Sequence, residues 1–380
     1  MISPKPKPRR IVFLTGTRAD FGKLKPLMLR LHSDPYFEVY VFVTGMHMLS
    51  KYGSTWEEVR KAGLDQMYCF INQNESNSMD HILAKTVLGF SDYVREITPD
   101  MIVIHGDRVE ALAGAIVGTL NNIRVAHIEG GEVSGTVDEA IRHSVSKLSH
   151  IHFVANEQAK RRLHQLGEMD ELVHVIGSPE VDVMNSPDLP ALEEVKQRYN
   201  ISFERYAVLI FHPVTTESEY LREQINFLVD AVIECGEQFV VLYPNNDHGS
   251  SIIIEEYERL KGNLNMAVYP SMRFEYFLTL MKHANYVIGN SSSGIREAPY
   301  FGVPTINLGS RQTGRVVSPS VMNVSMAAEA IKNAIREVRN LPRQPQQTFG
   351  SGQSAEKFHN ILFRDSIWNM VIQKRFVDFV

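Results

Sequence analysis

Three carboxylates stand just past the ends of apolar runs. Met101–His105 leads into Gly106-Asp107-Arg108, Val125–Ile128 leads into Glu129-Gly130-Gly131-Glu132, and Asp138 lies one residue inside the helix-like stretch that follows. General acid and base catalysis needs carboxylates that converge from separate elements, with environments that push their pKa values apart. Asp107, Glu129 and Asp138 are candidates on that ground. Thr136, with Glu139 three residues on, reads as a capping box, which gives Glu139 a structural task. Asp138 at the positive end of the helix suits helix stabilisation or a general base equally.

A second set of residues suits an anion. The run Ile11–Thr15 exits through Gly16-Thr17-Arg18-Ala19-Asp20-Phe21-Gly22-Lys23-Leu24, where free N–H groups at a helix start, and Arg18 beside them, would favour a phosphate. The spacing is not that of an ATP-binding P-loop, because five residues separate Gly16 from Gly22 and Leu24 follows the lysine. No strand is followed by G-x-G-x-x-G, so a cradled dinucleotide is not indicated. His212, stiffened by Pro213, stands at another exit and could bond a phosphate oxygen or a proton-transfer partner. In Gly289-Asn290-Ser291-Ser292-Ser293-Gly294-Ile295-Arg296-Glu297 three hydroxyls and a glycine lead into a helix, converging donors on one anionic group. Glu297 suits a pair of ribose hydroxyls, and Arg311 offers a second guanidinium. Metal has little support: there is no H-E-x-x-H, and His150 and His152 alternate along a strand with no third ligand nearby. Carboxylates in the first half and phosphate and ribose ligands in the second describe a nucleotide-sugar site.

These exits require short β-rich runs alternating with helical patterns, the sequence form of a parallel sheet wrapped in helices. Strands are expected at Ile11–Thr15, Val39–Val43, Met101–His105, Val125–Ile128, His152–Val154 and Val173–Ile176, then at Ala207–Phe211, Phe239–Leu242, Val287–Ile288 and Thr305–Ile306. The proline-containing stretch Asn185–Pro190 marks a boundary. We expect an α/β protein of two doubly wound, Rossmann-like domains, 1–184 and 185–353, facing an interdomain cleft, with a helical tail over 354–380. The 39 basic and 44 acidic residues, net charge -5, argue against nucleic acid as a partner. Two distant cysteines, Cys69 and Cys235, fit a reducing cytosol. The basic start at Lys5, Lys7, Arg9 and Arg10 precedes an apolar run too short for a signal peptide, and no stretch is long enough to span a membrane, so a cytoplasmic protein is expected.

At these loops the chain resembles the hydrolysing UDP-N-acetylglucosamine 2-epimerases of bacterial sialic acid (capsule) biosynthesis, whose fold is similar to GT-B glycosyltransferases. The carriers are GTRADFGKLKP, VTGMHM, HGDR, HIEGGEVSGTVDEAIRHSVSKLSH, FHPVTTE, YPNND, GNSSSGIREAP and NLGSRQTGR. The resemblance implies that Asp107, Glu129 and Asp138 are the catalytic acids. It assigns His212, Arg18, Ser291, Ser292 and Arg311 mainly to the diphosphate, with Ser293 and Gly294 in the same loop. Glu297 falls to the ribose, the loop Pro270–Phe274 with Met272 and Phe274 to uracil, and Asn245 to the nucleotide side. Non-hydrolysing relatives show an acidic residue before a single serine and a glycine pair where this chain has Ser291-Ser292-Ser293-Gly294, which favours the hydrolysing branch. The implied chemistry, elimination of UDP and then hydration, needs no nicotinamide and no obligatory metal, so no cofactor is expected; a homodimer or homotetramer is implied. Rival readings are the same mechanism on a 2,4-diacetamido-trideoxy sugar nucleotide, a GT-B glycosyltransferase, and a nucleotide-sugar sensor without catalysis.

Overall fold

A parallel strand covered by helices on both faces is buried on each side, so the central strands of this chain are almost uninterrupted apolar runs. The computed structural model describes residues 7–74, 77–315 and 318–378; Lys5 of the basic start and Phe379 of the tail lie outside them. Two compact units are formed, one from Met1–Glu132, Asp138–Asn185 and Phe349–Val380, the other from Val133–Val137 and Ser186–Thr348.

The first unit holds β1 (Arg9–Thr15), β2 (Phe37–Val43), β3 (Met67–Cys69), β4 (Met101–His105), β5 (Arg124–Ile128), β6 (Ile151–Val154) and β7 (Val173–Val175), in the order β3-β2-β1-β4-β5-β6-β7. The second holds β8 (Ala207–Ile210), β9 (Phe239–Leu242), β10 (Met266–Tyr269), β11 (Val287–Gly289), β12 (Thr305–Leu308) and β13 (Val321–Val324), in the order β10-β9-β8-β11-β12-β13. Every pairing is parallel. The doubly wound α/β expectation holds. In each sheet the winding reverses between the first and fourth strands, and ligands of such sheets bind beyond the carboxyl ends at that switch point. Arg18 and Asp107 follow β1 and β4; His212 and the serine loop follow β8 and β11.

Three strands escape the sequence reading, β3, β10 and β13, and all three are sheet edges. An edge strand is only half covered, and these are largely of intermediate exposure, so Met67–Cys69, Met266–Tyr269 and Val321–Val324 lack the buried apolar run that marks an interior strand.

The tail is helical over Ser354–Leu362 and Asp365–Asn369 only. Its first helix packs Phe358 against Phe13 and Phe153, at ring separations of 6.5 and 4.6 Å. Asp182 caps it, accepting from the Ser354 and Ala355 amides at 2.9 and 2.7 Å. Beyond Asn369 the helical expectation fails. Val371 and Phe376 are exposed, and a lysine does the anchoring instead: Lys374 Nζ donates to Glu168 at 2.5 Å and to the Ser149 and Lys147 carbonyls at 2.5 and 2.9 Å. Among the described residues no helix is long and apolar enough to cross a membrane.

Candidate functional site

In the first unit β5 delivers Glu129 directly from its last residue into the left-handed backbone region, φ 64°. A side chain there costs about 1 kcal/mol and persists only where its surroundings fix it. Both carboxylate oxygens are held: Oε1 accepts from the Ser178 hydroxyl, and Oε2 faces His105 Nε2 at 3.2 Å. Asp107, in the turn after β4, forms an ion pair with the buried Arg142. Arg142 lies on the helix Val137–Leu148 four residues after Asp138, so the two share one face. The three predicted acids thus occupy strand-exit or helix-start positions, two of them with partners that the sequence reading does not single out. Arg142 is signalled by its i+4 spacing from Asp138, and Ser178 by its place just past β7.

The turn carrying Asp107 is bolted from behind by His127, which is fully buried in β5. Its Nε2 lies 2.8 Å from the Gly106 carbonyl and so must donate; Nδ1, 3.0 Å from Ser146 Oγ, accepts. Burial pushes this imidazole down from 6.5 to about 3. The folded pKa lies below the unfolded one, so the stability it contributes is complete above pH 6.5 and is lost as pH falls from there towards 3. Between pH 7 and pH 5 one such histidine removes about 2 kcal/mol. A His127→Gln protein, whose amide can still donate to Gly106, should lose about 2 kcal/mol less than the unaltered chain over that interval. Urea unfolding at the two pH values measures this, and equal losses would assign the acid sensitivity elsewhere.

At the β1 exit the anion seat expected for a ligand is taken by the chain itself. Thr17 caps the helix Arg18–His32 by accepting from the Asp20 amide, while the Asp20 carboxylate accepts from the Gly16 and Thr17 amides at 3.0 and 3.1 Å. What this exit can offer an anion is therefore the half-buried Arg18 guanidinium rather than the helix start.

The second unit is organised by Asn290, the first residue past β11. Its side chain clamps the His212 backbone from both sides, accepting from the His212 amide at 2.7 Å and donating to its carbonyl at 2.8 Å. The Asn245 amide donates to His212 Nδ1 at 3.0 Å, which leaves the proton of the neutral ring on Nε2, the nitrogen able to donate to a phosphate oxygen. Asn245 thereby orients the histidine, and its own side chain bonds Asp247 at 2.5 Å. The Asn290 carbonyl accepts from Arg311 Nη1 at 3.3 Å and Gln312 Nε2 at 2.7 Å. Arg311, His212 and Ser291 are gathered around one residue.

The helix expected after the serines is a 3₁₀ turn over Ser292–Gly294 and then a single helical turn, Glu297–Tyr300, with Pro299 inside it. The Gly294 amide donates to the Ser291 carbonyl and the Ile295 and Arg296 amides to Ser292, so the turn consumes its own N–H groups. Ser293 donates its hydroxyl to Ser291 Oγ at 3.0 Å and is buried. Hydroxyls, the guanidinium and the histidine, rather than a helix dipole, are what this loop can offer an anion. Glu297 is buried below the loop. Met272 packs in the core with Leu242 and Leu280, and Phe274 is buried too, so the Pro270–Phe274 loop can offer a base its backbone and the half-buried Ser271 and Arg273. Among the described residues no group of three or more histidine, cysteine or carboxylate side chains is placed to hold a metal ion.

Comparison with known proteins extends this geometry. The family model described as UDP-N-acetylglucosamine 2-epimerase matches residues 29–363. A UDP-N-acetylglucosamine 2-epimerase of Neisseria meningitidis serogroup B is 46% identical over 374 residues, 97% of this chain and 99% of that protein. A UDP-N,N'-diacetylbacillosamine 2-epimerase (hydrolyzing) of Legionella pneumophila is 34% identical, over 96% of this chain and 98% of its own length. The crystal structure of a Methanocaldococcus jannaschii UDP-GlcNAc 2-epimerase in complex with UDP-GlcNAc and UDP superposes with a TM-score of 0.81 at 23% identity, covering 93% of this chain and 99% of that one. That likeness is one of fold, and the fold is GT-B-like.

Proposed function

Because the chain belongs to the UDP-N-acetylglucosamine 2-epimerase family, we propose that it is a hydrolysing member, which converts UDP-N-acetylglucosamine and water to free N-acetylmannosamine and UDP in sialic acid (capsule) synthesis. The observation that carries this reading is the set of three acids at the β4 exit, the β5 exit and the following helix start, two of them held by buried partners. The hydrolysing branch is supported by the serine loop, Ser291-Ser292-Ser293-Gly294, and by a near full-length relative whose name carries that reaction.

The hydrogen on C2 of the sugar is not next to a carbonyl, so a carboxylate can remove it only as departure of UDP builds positive charge at C1. Stabilising the leaving group is therefore the larger task. Arg18, Arg311, His212 Nε2–H and the Ser291 and Ser292 hydroxyls hold the diphosphate as the C1–O bond breaks. One of Asp107, Glu129 and Asp138 takes the C2 proton, giving 2-acetamidoglucal and UDP. Water then adds its oxygen to C1 and gives up one proton to a carboxylate, while a second acid delivers a proton to the opposite face of C2; that centre is inverted, N-acetylmannosamine is released, and the first base returns its proton to solvent.

Proton NMR with UDP-N-acetylglucosamine in deuterated water, without metal, nicotinamide or acceptor, tests this. The expected products are UDP and free N-acetylmannosamine carrying deuterium at C2. Intact UDP-N-acetylmannosamine would place the chain in the non-hydrolysing branch, and an unchanged spectrum alongside turnover of a UDP-2,4-diacetamido-trideoxy sugar would give it the substrate class of the Legionella relative.

A further inference from the structure

We propose that the five residues Val133–Val137 act as a strap that sets the position of Asp138 according to the occupancy of the diphosphate loops, with Gly135 and Gln312 as positioning residues. The inference rests on the assignment of those loops to UDP. Glu132 and Asp138 belong to one compact unit, yet the residues between them belong to the other. They are fastened there at both ends of a loop. The Gly135 amide donates to the Arg311 carbonyl at 3.0 Å, and Arg315 Nε donates to the Val133 carbonyl at 2.8 Å. A Cβ on Gly135 would lie 2.3 Å from the Ser310 carbonyl oxygen, closer than unbonded atoms can approach, so only glycine allows the strap to lie this tightly on Ser310 and Arg311.

The other side of the same loop grips the phosphate ligands. Gln312 Nε2 and Arg311 Nη1 both donate to the Asn290 carbonyl, and Asn290 clamps His212. Ser310 Oγ donates to Glu217, which anchors the start of the loop independently. A continuous chain of bonds thus runs from His212 through Asn290, Gln312 and Arg311 to Gly135, and three residues later the backbone reaches Asp138. An anion that draws the Arg311 side chain towards His212 and Ser291 shifts the loop, the strap follows, and the first turn of the helix Val137–Leu148 moves with it. That helix also carries Arg142, the partner of Asp107, so one displacement adjusts two of the three acids. Alignment of the acids is thereby made conditional on an engaged diphosphate, and a displacement of about 1 Å is enough to change turnover by about 100-fold. Two sites biased by one shared element are coupled in both directions.

Hydrogen exchange of the full chain, with and without UDP alone, followed by mass spectrometry, tests the strap. In the unaltered protein UDP should slow exchange in Ser291–Ile295 and also in 133–141. In Gly135→Ala the serine loop should remain protected while 133–141 loses its response. Turnover should fall about 10- to 100-fold with UDP affinity changed by less than about threefold, a split that a general loss of structure does not produce. Gln312→Met, which removes the donor to Asn290 without adding bulk at the strap, should weaken the response of 133–141 in the same direction and covers the case in which Gly135→Ala does not fold. UDP protection of the serine loop with no response at 133–141 in the unaltered chain overturns the strap alone. No protection of the serine loop removes UDP as its ligand, and both readings fall together.

Discussion

A Glu129→Gln protein should bind UDP as tightly as the unaltered chain and lose about 10²- to 10⁴-fold in turnover, the range that a positioned acid or base supplies. The substitution keeps the volume of the side chain and an oxygen for the Ser178 hydroxyl, so the left-handed backbone at φ 64° retains its support. What disappears is the ability to carry a proton. UDP should be indifferent to the change, because the groups assigned to its phosphates are Arg18 and the Asn290-centred set, whereas Glu129 is held by Ser178 and His105. Glu129 is a cleaner test than Asp107, whose amide would remove the carboxylate paired with the buried Arg142; breaking one side of such a pair costs about 3–5 kcal/mol and mixes stability into the kinetics. Asp138→Asn stands between the two, since a helix tolerates asparagine near its start with the loss of only a fraction of the dipole term. Calorimetric titration with UDP beside steady-state UDP release separates binding from chemistry. Turnover within about twofold of normal would strike Glu129 from the acids, and the same outcome in an Asp107 variant would strike that residue.

How far the sequence discloses this molecule depends on whether the relevant signal is local. Interior strands such as Val39–Val43 and Phe239–Leu242 are buried on both faces and announce themselves as apolar runs, which also fixes where their exits fall. From the exits follow the residue types that can do chemistry. Three of the four edge strands, Met266–Tyr269 among them, are set by their neighbour more than by their own residues and escape the sequence reading, while the edge strand Val173–Val175 is legible. The same limit applies to partners. Ser178 is 49 residues from Glu129, and Asn290 is 78 from His212, and nothing in either local stretch names the other. Charge on a helix start is legible at Asp20, but its use as an internal cap rather than as part of a ligand seat is decided by the turn geometry of Gly16 and Thr17.

Gly289→Ala should cost about 3 kcal/mol or more and lower the melting temperature of the second unit by about 10 °C, with UDP affinity falling at least about tenfold. The residue sits at φ 136°, a backbone region that side chains rarely enter, and a Cβ there would lie 1.8 Å from the Ile210 carbonyl oxygen and 2.6 Å from its carbon. Neither atom belongs to a side chain that could rotate away. Ile210 is the last residue of β8 and the register partner of Gly289, so the only relief is separation of β8 from β11 at their carboxyl ends. That separation strikes the site directly. The Asn290 amide loses the Ile210 carbonyl it bonds at 3.1 Å, the clamp on His212 opens, and the acceptor shared by Arg311 and Gln312 moves away from both. Gly236→Ala supplies the comparison, because Gly236 also has positive φ, 68°, but a methyl group added there would meet no atom within 4 Å and would touch none of these groups. It should cost only the backbone penalty, about 1 kcal/mol, and leave UDP binding as it was. Scanning calorimetry and UDP titration of the two proteins distinguish strain of the backbone from collision at the switch point; equal melting temperatures would mean that β8 and β11 do not approach as closely as the Asn290 clamp requires.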